Sequence, residues 1–260
     1  MSNSEEEEIA RNYICFEESD CIVVVVDATR LERNLNLVKQ IVEIQNNVIV
    51  CVNLLDEAAK KGISIDLELL EQKLGVPVAG VIARRKKTLK ELCQKIEDVC
   101  TGKIKPEAQF TKYEENVENA IKKLQNELQI KIENEKLARW IAIKFLEGNN
   151  KITEKITQKY GVKISETNLQ VAKRELREEK IEDLLVGAIM RDIEAICKEV
   201  VHLRKSNYNE RDKKIDKILT SKLYGIPIMI LFLGLIFWLT ITGANYPSQL
   251  LSDFFTRNRK

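Results

Sequence analysis

The sequence lacks several features on which common enzyme and metal-binding classes depend. It contains no Gly-x-x-x-x-Gly-Lys-Ser/Thr loop, the segment that wraps nucleotide phosphates and helps to seat magnesium. It has a single histidine, His202, with no second histidine or cysteine at ligand spacing, so we expect His202 at the surface or at a helix end. Its six cysteines include no Cys-x-x-Cys pair, which favours buried thiols over disulfides or a metal site.

Net charge is also nearly absent from the chain. Lys and Arg number 42 and Asp and Glu number 40, and this balance gives no argument for a nucleic-acid partner. With 260 residues and about 150 residues per domain as a guide, we expect one or two soluble domains and a tail.

Charged side chains are missing from one long stretch near the end of the chain. Residues 223–252 contain no Asp, Glu, Lys or Arg, and residues 226–243 are almost continuously apolar. Such a run predicts one membrane-spanning helix at about residues 224–244, because buried helices of soluble proteins are usually shorter or amphipathic. Five basic residues precede it: Arg211, Lys213, Lys214, Lys217 and Lys222. They predict a single-pass membrane protein whose amino-terminal soluble part lies in the cytoplasm.

The first hundred residues alternate between two kinds of pattern. Short apolar runs at residues 21–26, 47–52 and 76–83 are typical of buried strands. Helical spacing of apolar residues follows each run, and strands that alternate with helices favour a parallel sheet with right-handed crossovers.

Strand patterns stop after Gly102 and Pro106, where Lys, Glu and Leu become dominant up to about residue 207. This segment is predicted to be all-helical. One of its helices carries an apolar stripe formed by Val117, Ile121, Leu124, Leu128 and Ile132. The stripe fits either a domain core or a surface that binds a partner helix.

A candidate base-recognition motif directly follows the second apolar run. It consists of Asn53, Leu54, Leu55 and Asp56. A carboxylate such as that of Asp56 accepts paired hydrogen bonds from N1 and the exocyclic amine of guanine, a donor pattern that adenine lacks. The alternative is an ordinary helix-capping turn.

Four segments of the sequence resemble the ferrous iron transport protein B (FeoB) family. They are residues 27–35 (Asp-Ala-Thr-Arg-Leu-Glu-Arg-Asn-Leu), residues 53–57, residues 74–78 and the tail from residue 211 to residue 228. The first is the most distinctive. Together the matching segments extend over most of the chain.

The resemblance implies a fold and a division into domains. FeoB proteins join a cytoplasmic GTP-binding domain, a helical spacer domain and a multi-helix membrane domain that imports ferrous iron. By this resemblance, residues 1–105 form the carboxyl-terminal part of an α/β G domain whose parallel sheet lacks its first strands. Residues 106–207 form an all-α helical spacer domain. Residues 208–260 form an amphipathic linker and a single transmembrane helix, which the resemblance places in the inner (cytoplasmic) membrane of the cell.

The resemblance also implies that both ends of the family pattern are missing. Residues 6–11 resemble the family stretch that follows the second switch region, so the phosphate loop, the switch threonine and the Asp-x-Pro-Gly motif would all precede Met1. Neither GTP hydrolysis nor magnesium binding is therefore expected of this chain alone. Transport is not expected of it alone either, because one membrane helix cannot enclose an ion path.

What remains by resemblance is a partial nucleotide site without catalytic or metal residues. The residues that would contact GTP or GDP are Asn53, Leu54, Asp56, Ile82, Ala83 and Arg84. Leu54 occupies a position that is often Lys in other GTPases, and Ile82 replaces a small hydroxyl residue. We therefore expect nucleotide binding to be weak or to depend on the missing amino-terminal part.

The sequence leaves two functional hypotheses open. In the first, the chain is a fragment or split component of a GTP-binding ferrous iron transporter. Its strand at residues 22–26 would then have an unpaired edge that a separately encoded amino-terminal G-domain piece covers, and another polypeptide would supply the remaining membrane part. In the second, the chain is a non-catalytic, membrane-anchored helical interaction module or an inactive truncated remnant.

Overall fold

The computed structural model describes residues 5–176, 181–203, 219–221 and 225–257. The chain divides into two compact units, one up to residue 204 and one from residue 205. In the described part of the chain the strands are β1 (Ile22–Asp27), β2 (Val48–Asn53), β3 (Ile63–Ile65), β4 (Val78–Gly80) and β5 (Val201–Leu203).

Helices make up most of the first unit. In chain order they are α1 (Glu5–Phe16), α2 (Leu31–Val42), α3 (Leu55–Lys60), α4 (Leu67–Leu74), α5 (Lys86–Cys100), α6 (Glu115–Leu128), α7 (Glu135–Glu147), α8 (Asn150–Tyr160), α9 (Glu166–Glu175) and α10 (Ile181–Val200). The second unit contains α11 (Gly225–Arg257). A short 3-10 turn (Ala28–Arg30) joins β1 to α2.

The predicted parallel sheet is confirmed. Its strand order is β1-β2-β4, and β1 pairs in parallel with β2 from Ile22 opposite Val48 to Asp27 opposite Asn53. Val48, Val50 and Val52 of the central strand are fully buried, because helices cover this face of the sheet.

The first strand is less well covered than the other two. In the described residues β1 pairs only with β2, so it lies at one edge of the sheet. Val24 and Val26 are buried, whereas the side chain between them, Val25, is 61% exposed. An apolar edge strand of this kind, without Lys or Pro, leaves backbone groups and a valine available to another polypeptide.

The helical domain is confirmed with one correction. Val201–Leu203 forms β5, which pairs antiparallel with β3, so residues 106–207 are not all-helical. These two strands are three residues long, and their pairing spans well over a hundred residues, so the sequence carries no local signal for them. His202 is exposed on β5, as expected of a surface residue.

The apolar stripe of the helical segment belongs to the core. Val117, Ile121, Leu124 and Leu128 on α6 are each at most 2% exposed and share one cluster with Trp140 of α7. The stripe is therefore not available to a partner helix, which removes one argument for the interaction-module hypothesis.

The prediction that the cysteines are buried is only partly correct. Cys15, Cys51 and Cys197 are buried, and burial raises the pKa of the Cys15 thiol to about 11. Cys93 and Cys100 are exposed instead. Both lie on α5, where Val99 is the buried residue and much of the remaining surface faces solvent.

The predicted membrane span at about residues 224–244 is not supported. Among the described residues, no helix combines the length and the apolarity that crossing a bilayer needs. The helix α11 extends past the predicted end of the span to Arg257, and most large apolar side chains between residues 226 and 241, such as Phe232 and Trp238, are more than half exposed.

A tight backbone junction joins the sheet-containing part of the first unit to the helical part. The N–H of Glu107 donates to Gly75 O at 2.9 Å, and the N–H of Gln109 donates to Leu74 O at 2.9 Å. Lys39 of α2 is almost completely buried, and its Nζ donates to Gln109 O at 2.8 Å and pairs with Asp192 of α10 at 2.8 Å. Since a buried charge is tolerated only when paired, these contacts fix α2 against α10.

A buried carboxyl group lies at the carboxyl end of α2. Glu43 is 8% exposed, and its Oε1 accepts a hydrogen bond from the Tyr113 hydroxyl at 3.0 Å. Burial raises the pKa of Glu43, although Tyr113, Lys144, Arg139 and Lys39 act in the opposite direction. Folding therefore favours the protonated form of this side chain.

This raised pKa predicts a pH-dependent stability. The contribution of Glu43 is complete below its unfolded pKa of 4.5 and is lost as pH rises through the higher folded pKa. We expect Glu43→Gln, which stays neutral and keeps an acceptor for Tyr113, to gain stability relative to the wild type as pH rises from 5 to 8. Urea unfolding followed by circular dichroism between pH 5 and 8 measures the difference.

Glu43→Ala is the control for this prediction, because it removes the acceptor of the buried Tyr113 hydroxyl. It is expected to lower stability at every pH in the range. Stability profiles of wild type and Glu43→Gln that run parallel from pH 5 to 8 would contradict the prediction.

Candidate functional site

The carboxyl ends of the three parallel strands meet at one edge of the sheet. Asp27 ends β1 and lies opposite Asn53, which ends β2, while Ile82 follows β4 by two residues. Loops at this edge of a parallel sheet are the usual place for ligands, because they converge from neighbouring strands. The sequence motif and the loop at residues 82–84 therefore face the same region.

The loop after β2 has an unusual backbone conformation. Leu54 has φ = 62°, in the left-handed region that a branched, non-glycine residue rarely adopts. It precedes α3, whose first turn contains Asp56. The strained turn thus brings the Asp56 carboxylate to the start of a helix, where partial positive charge favours it. The side chain of Asp56 is 16% exposed, so its oxygens are largely shielded from bulk water.

Asn53 has unused hydrogen-bonding capacity. Its Oδ1 is buried and lacks a hydrogen-bond partner in the described residues. Since an unpaired buried polar atom costs about 1–3 kcal/mol, such atoms are uncommon and are often explained by a ligand or water. Asn53 therefore has the capacity to contact a ligand at the edge of the sheet.

The loop after β4 is held by a threonine that sequence reasoning missed. The hydroxyl of Thr88 accepts from the Ile82 N–H at 3.1 Å and lies within hydrogen-bond distance of the oxygens of Ile82 and Arg85. The Arg85 N–H also donates to Ile82 O at 2.7 Å, which closes the turn. Ala83 and Arg84 are consequently exposed at the tip of a fixed turn. A threonine six residues beyond Ile82 gives no sequence signal for this role.

One ion pair links the two loops. The guanidinium of Arg84 donates from Nη2 to Oδ2 of Asp56. The Arg84 side chain is 68% exposed, so the pair lies at the surface of the site. Lys60 is close by and pairs with Glu57 at 2.7 Å, and its pKa is raised chiefly by that carboxylate.

These loops are suited to recognising a flat, uncharged group rather than to acid–base or metal chemistry. They offer a largely shielded carboxylate, an amide with an unpaired oxygen and the exposed apolar side chain of Leu54. In the described residues, no group of three or more His, Cys, Asp or Glu side chains is arranged to hold a metal ion.

Comparison with known proteins identifies two family matches along the chain. Residues 1–96 match the family model described as ferrous iron transport protein B, and residues 113–202 match the FeoB cytosolic helical domain. The Fe(2+) transporter FeoB of Staphylococcus aureus (strain MSSA476) is 31% identical over 258 residues, which cover 97% of this chain and 38% of the relative. The chain thus spans less than half the length of that relative.

Solved structures show the same similarity. The cytosolic domain of the T. maritima FeoB iron transporter in a GDP form has a TM-score of 0.62 and 27% identity, with 77% of this chain and 74% of that chain covered. An S. thermophilus NFeoB variant bound to GDP has a TM-score of 0.67 and 26% identity, with coverage of 77% and 76%.

Proposed function

This chain belongs to the ferrous iron transport protein B family, and from that membership we propose that it is a split component of a GTP-binding ferrous iron transporter. In this proposal it contributes guanine recognition and the helical connection to the membrane. The observation that carries the proposal is the convergence of Asn53, Asp56 and residues 82–84 at the carboxyl edge of the parallel sheet. Solved relatives of similar fold are described as GDP-bound, which supports a guanine nucleotide as the ligand.

The domain assignment is part of the proposal. Residues 1–105 form the nucleotide-recognising part, residues 106–207 the helical spacer, and residues 208–260 the linker and membrane-associated helix. The two family matches, which end at residue 96 and begin at residue 113, support a boundary between them. The buried Lys39–Asp192 pair supports mechanical coupling across that boundary, since it joins α2 to α10.

Phosphate binding is proposed to come from a separately encoded polypeptide. The sequence has no phosphate-binding loop, and the chain covers about three quarters of the cytosolic FeoB structures that it resembles. The exposed Val25 and the free edge of β1 are suited to receive an additional strand from such a polypeptide. Base contacts without phosphate contacts support only weak nucleotide binding. Because the sequence has no phosphate-binding loop, we propose that this chain alone does not hydrolyse GTP.

Nucleotide binding to the full chain tests this proposal. Fluorescent GDP is titrated with and without a separately produced FeoB amino-terminal fragment that carries a phosphate loop. We expect a large gain in affinity, of about tenfold or more, when the fragment is present, because phosphate contacts are then added to base contacts. A Val25→Lys variant, which places a charge on the strand next to the free edge, is expected to lose the gain. Equal binding by the fragment alone would contradict the proposal.

We further propose that the chain acts at the inner face of the cell membrane, with the first unit in the cytoplasm. The relatives are named as Fe(2+) transporters, and the exposed apolar side chains of α11 between residues 226 and 241 are suited to an apolar environment. We expect the wild-type chain to float with lipid vesicles in a density gradient. We expect a variant in which serine replaces Phe232 and Trp238 to lose this flotation. Failure of the wild-type chain to float with the vesicles would contradict this location.

A further inference from the structure

We propose that Arg84 is an internal competitor for the base-recognition carboxylate, so that a guanine base must displace its guanidinium from Asp56 in order to bind. This inference rests on the proposed function, since it concerns the same site. It makes Arg84 a determinant of nucleotide affinity instead of a simple support for the base.

The chemical argument is that Arg84 and guanine offer the same kind of group to Asp56. A guanidinium is planar and presents parallel N–H donors, and the N1–H and exocyclic amine of guanine form a similar planar pair of donors. In the described structure the Arg84 guanidinium already donates to Oδ2 of Asp56. A base that approaches Asp56 in the same plane therefore meets an occupied acceptor.

The surroundings of the two residues allow the exchange. The turn that carries Arg84 is held by Thr88 through Ile82 N at 3.1 Å and by the hydrogen bond from Arg85 N to Ile82 O at 2.7 Å. Only the side chain of Arg84 must therefore move. Because that side chain is 68% exposed, its charge returns to water at little cost, whereas Asp56 is 16% exposed and must keep a donor.

Other charges near the site do not provide the same competition. The charges of both Arg84 and Asp56 act on the pKa of Lys60, but the Lys60 ammonium pairs with Glu57 at 2.7 Å. A single ammonium also lacks the planar pair of donors that a guanidinium presents. Arg85 is also exposed and is the next residue along the turn. It provides a matched control, since its removal takes the same charge from the same loop and leaves the pair between Arg84 and Asp56 in place.

The test compares binding of guanosine 5′-monophosphate to the wild-type chain, Arg84→Ala and Arg85→Ala by equilibrium dialysis, with and without the phosphate-loop fragment. We expect Arg84→Ala to bind about two- to fivefold more tightly than Arg85→Ala, because an ion pair of this exposure contributes only modestly. Adenosine 5′-monophosphate is expected to show no such gain. Equal affinities of the two variants overturn the inference, and if Asp56→Ala still loses binding the proposed function stands. Absence of binding to all proteins, also when the phosphate-loop fragment is added, overturns both.

A second measurement follows the pair itself. The Nε–Hε signal of Arg84, assigned by its absence from Arg84→Ala, is expected to shift when guanosine 5′-monophosphate is added. Asp56→Asn should shift the signal in the same direction without ligand, because it removes the charged acceptor. A signal that is unchanged by both treatments shows that the pair does not exist in solution and overturns the inference.

Discussion

Asp56→Ala is expected to weaken guanine nucleotide binding about 100-fold in the presence of the phosphate-loop fragment. The carboxylate is proposed to accept two hydrogen bonds from the base, and hydrogen bonds to a charged group contribute roughly 1.5–3 kcal/mol each. Binding of the base also breaks the ion pair between Asp56 and Arg84. The free energy lost with that pair keeps the expected effect at the lower end of the range that two such hydrogen bonds allow. Titration with fluorescent GDP measures the change.

A change of base specificity in an Asp56 variant distinguishes direct recognition of the base by Asp56 from general damage to the site. Asparagine at position 56 offers one acceptor and one donor in place of two acceptors. Asp56→Asn is therefore expected to bind xanthosine diphosphate better than GDP, because xanthine carries an oxygen where guanine carries the amine. Asp66→Ala is the control, since Asp66 caps α4 by accepting from Leu69 N at 3.0 Å and is outside the site. Loss of GDP binding without this switch would contradict direct base recognition by Asp56.

Gly75→Ala is expected to destabilise the first unit by about 2–4 kcal/mol. Gly75 ends α4 with φ = 67°, and a Cβ there would lie 2.0 Å from the backbone oxygen of Glu107. That oxygen cannot retreat easily, because Glu107 N donates to Gly75 O at 2.9 Å. The left-handed conformation costs an alanine about 1 kcal/mol, and forced overpacking typically adds 1–3 kcal/mol or more.

Gly161→Ala is a closely matched control. Gly161 also ends a helix, α8, with φ = 63°, but a Cβ added there would have no neighbouring atom within 4 Å. We expect this variant to lose only about 1 kcal/mol, so the difference between the two variants isolates the clash. Urea unfolding gives the free energies, and hydrogen exchange at Glu107 and Gln109 reports the junction itself. Equal losses in the two variants would contradict the role of Gly75 as a close-contact point.

The sequence by itself determined the type of sheet and the edge at which the candidate site lies. Runs of β-branched residues that alternate with amphipathic helices specify buried parallel strands through local side-chain periodicity. The segment at residues 27–35 and the motif from Asn53 to Asp56 each begin where one of those runs ends. Because the strands are parallel, both segments start at the same edge of the sheet. Family membership also followed from these segments.

Only the tertiary structure decided which distant groups meet. The pair between Asp56 and Arg84, the buried Lys39 with Asp192, and the pairing of β3 with β5 each join segments far apart in sequence. Periodicity reports which side of an element is apolar, but it does not report which element covers that side. These contacts depend on packing of the whole unit, which is why no local pattern predicted them.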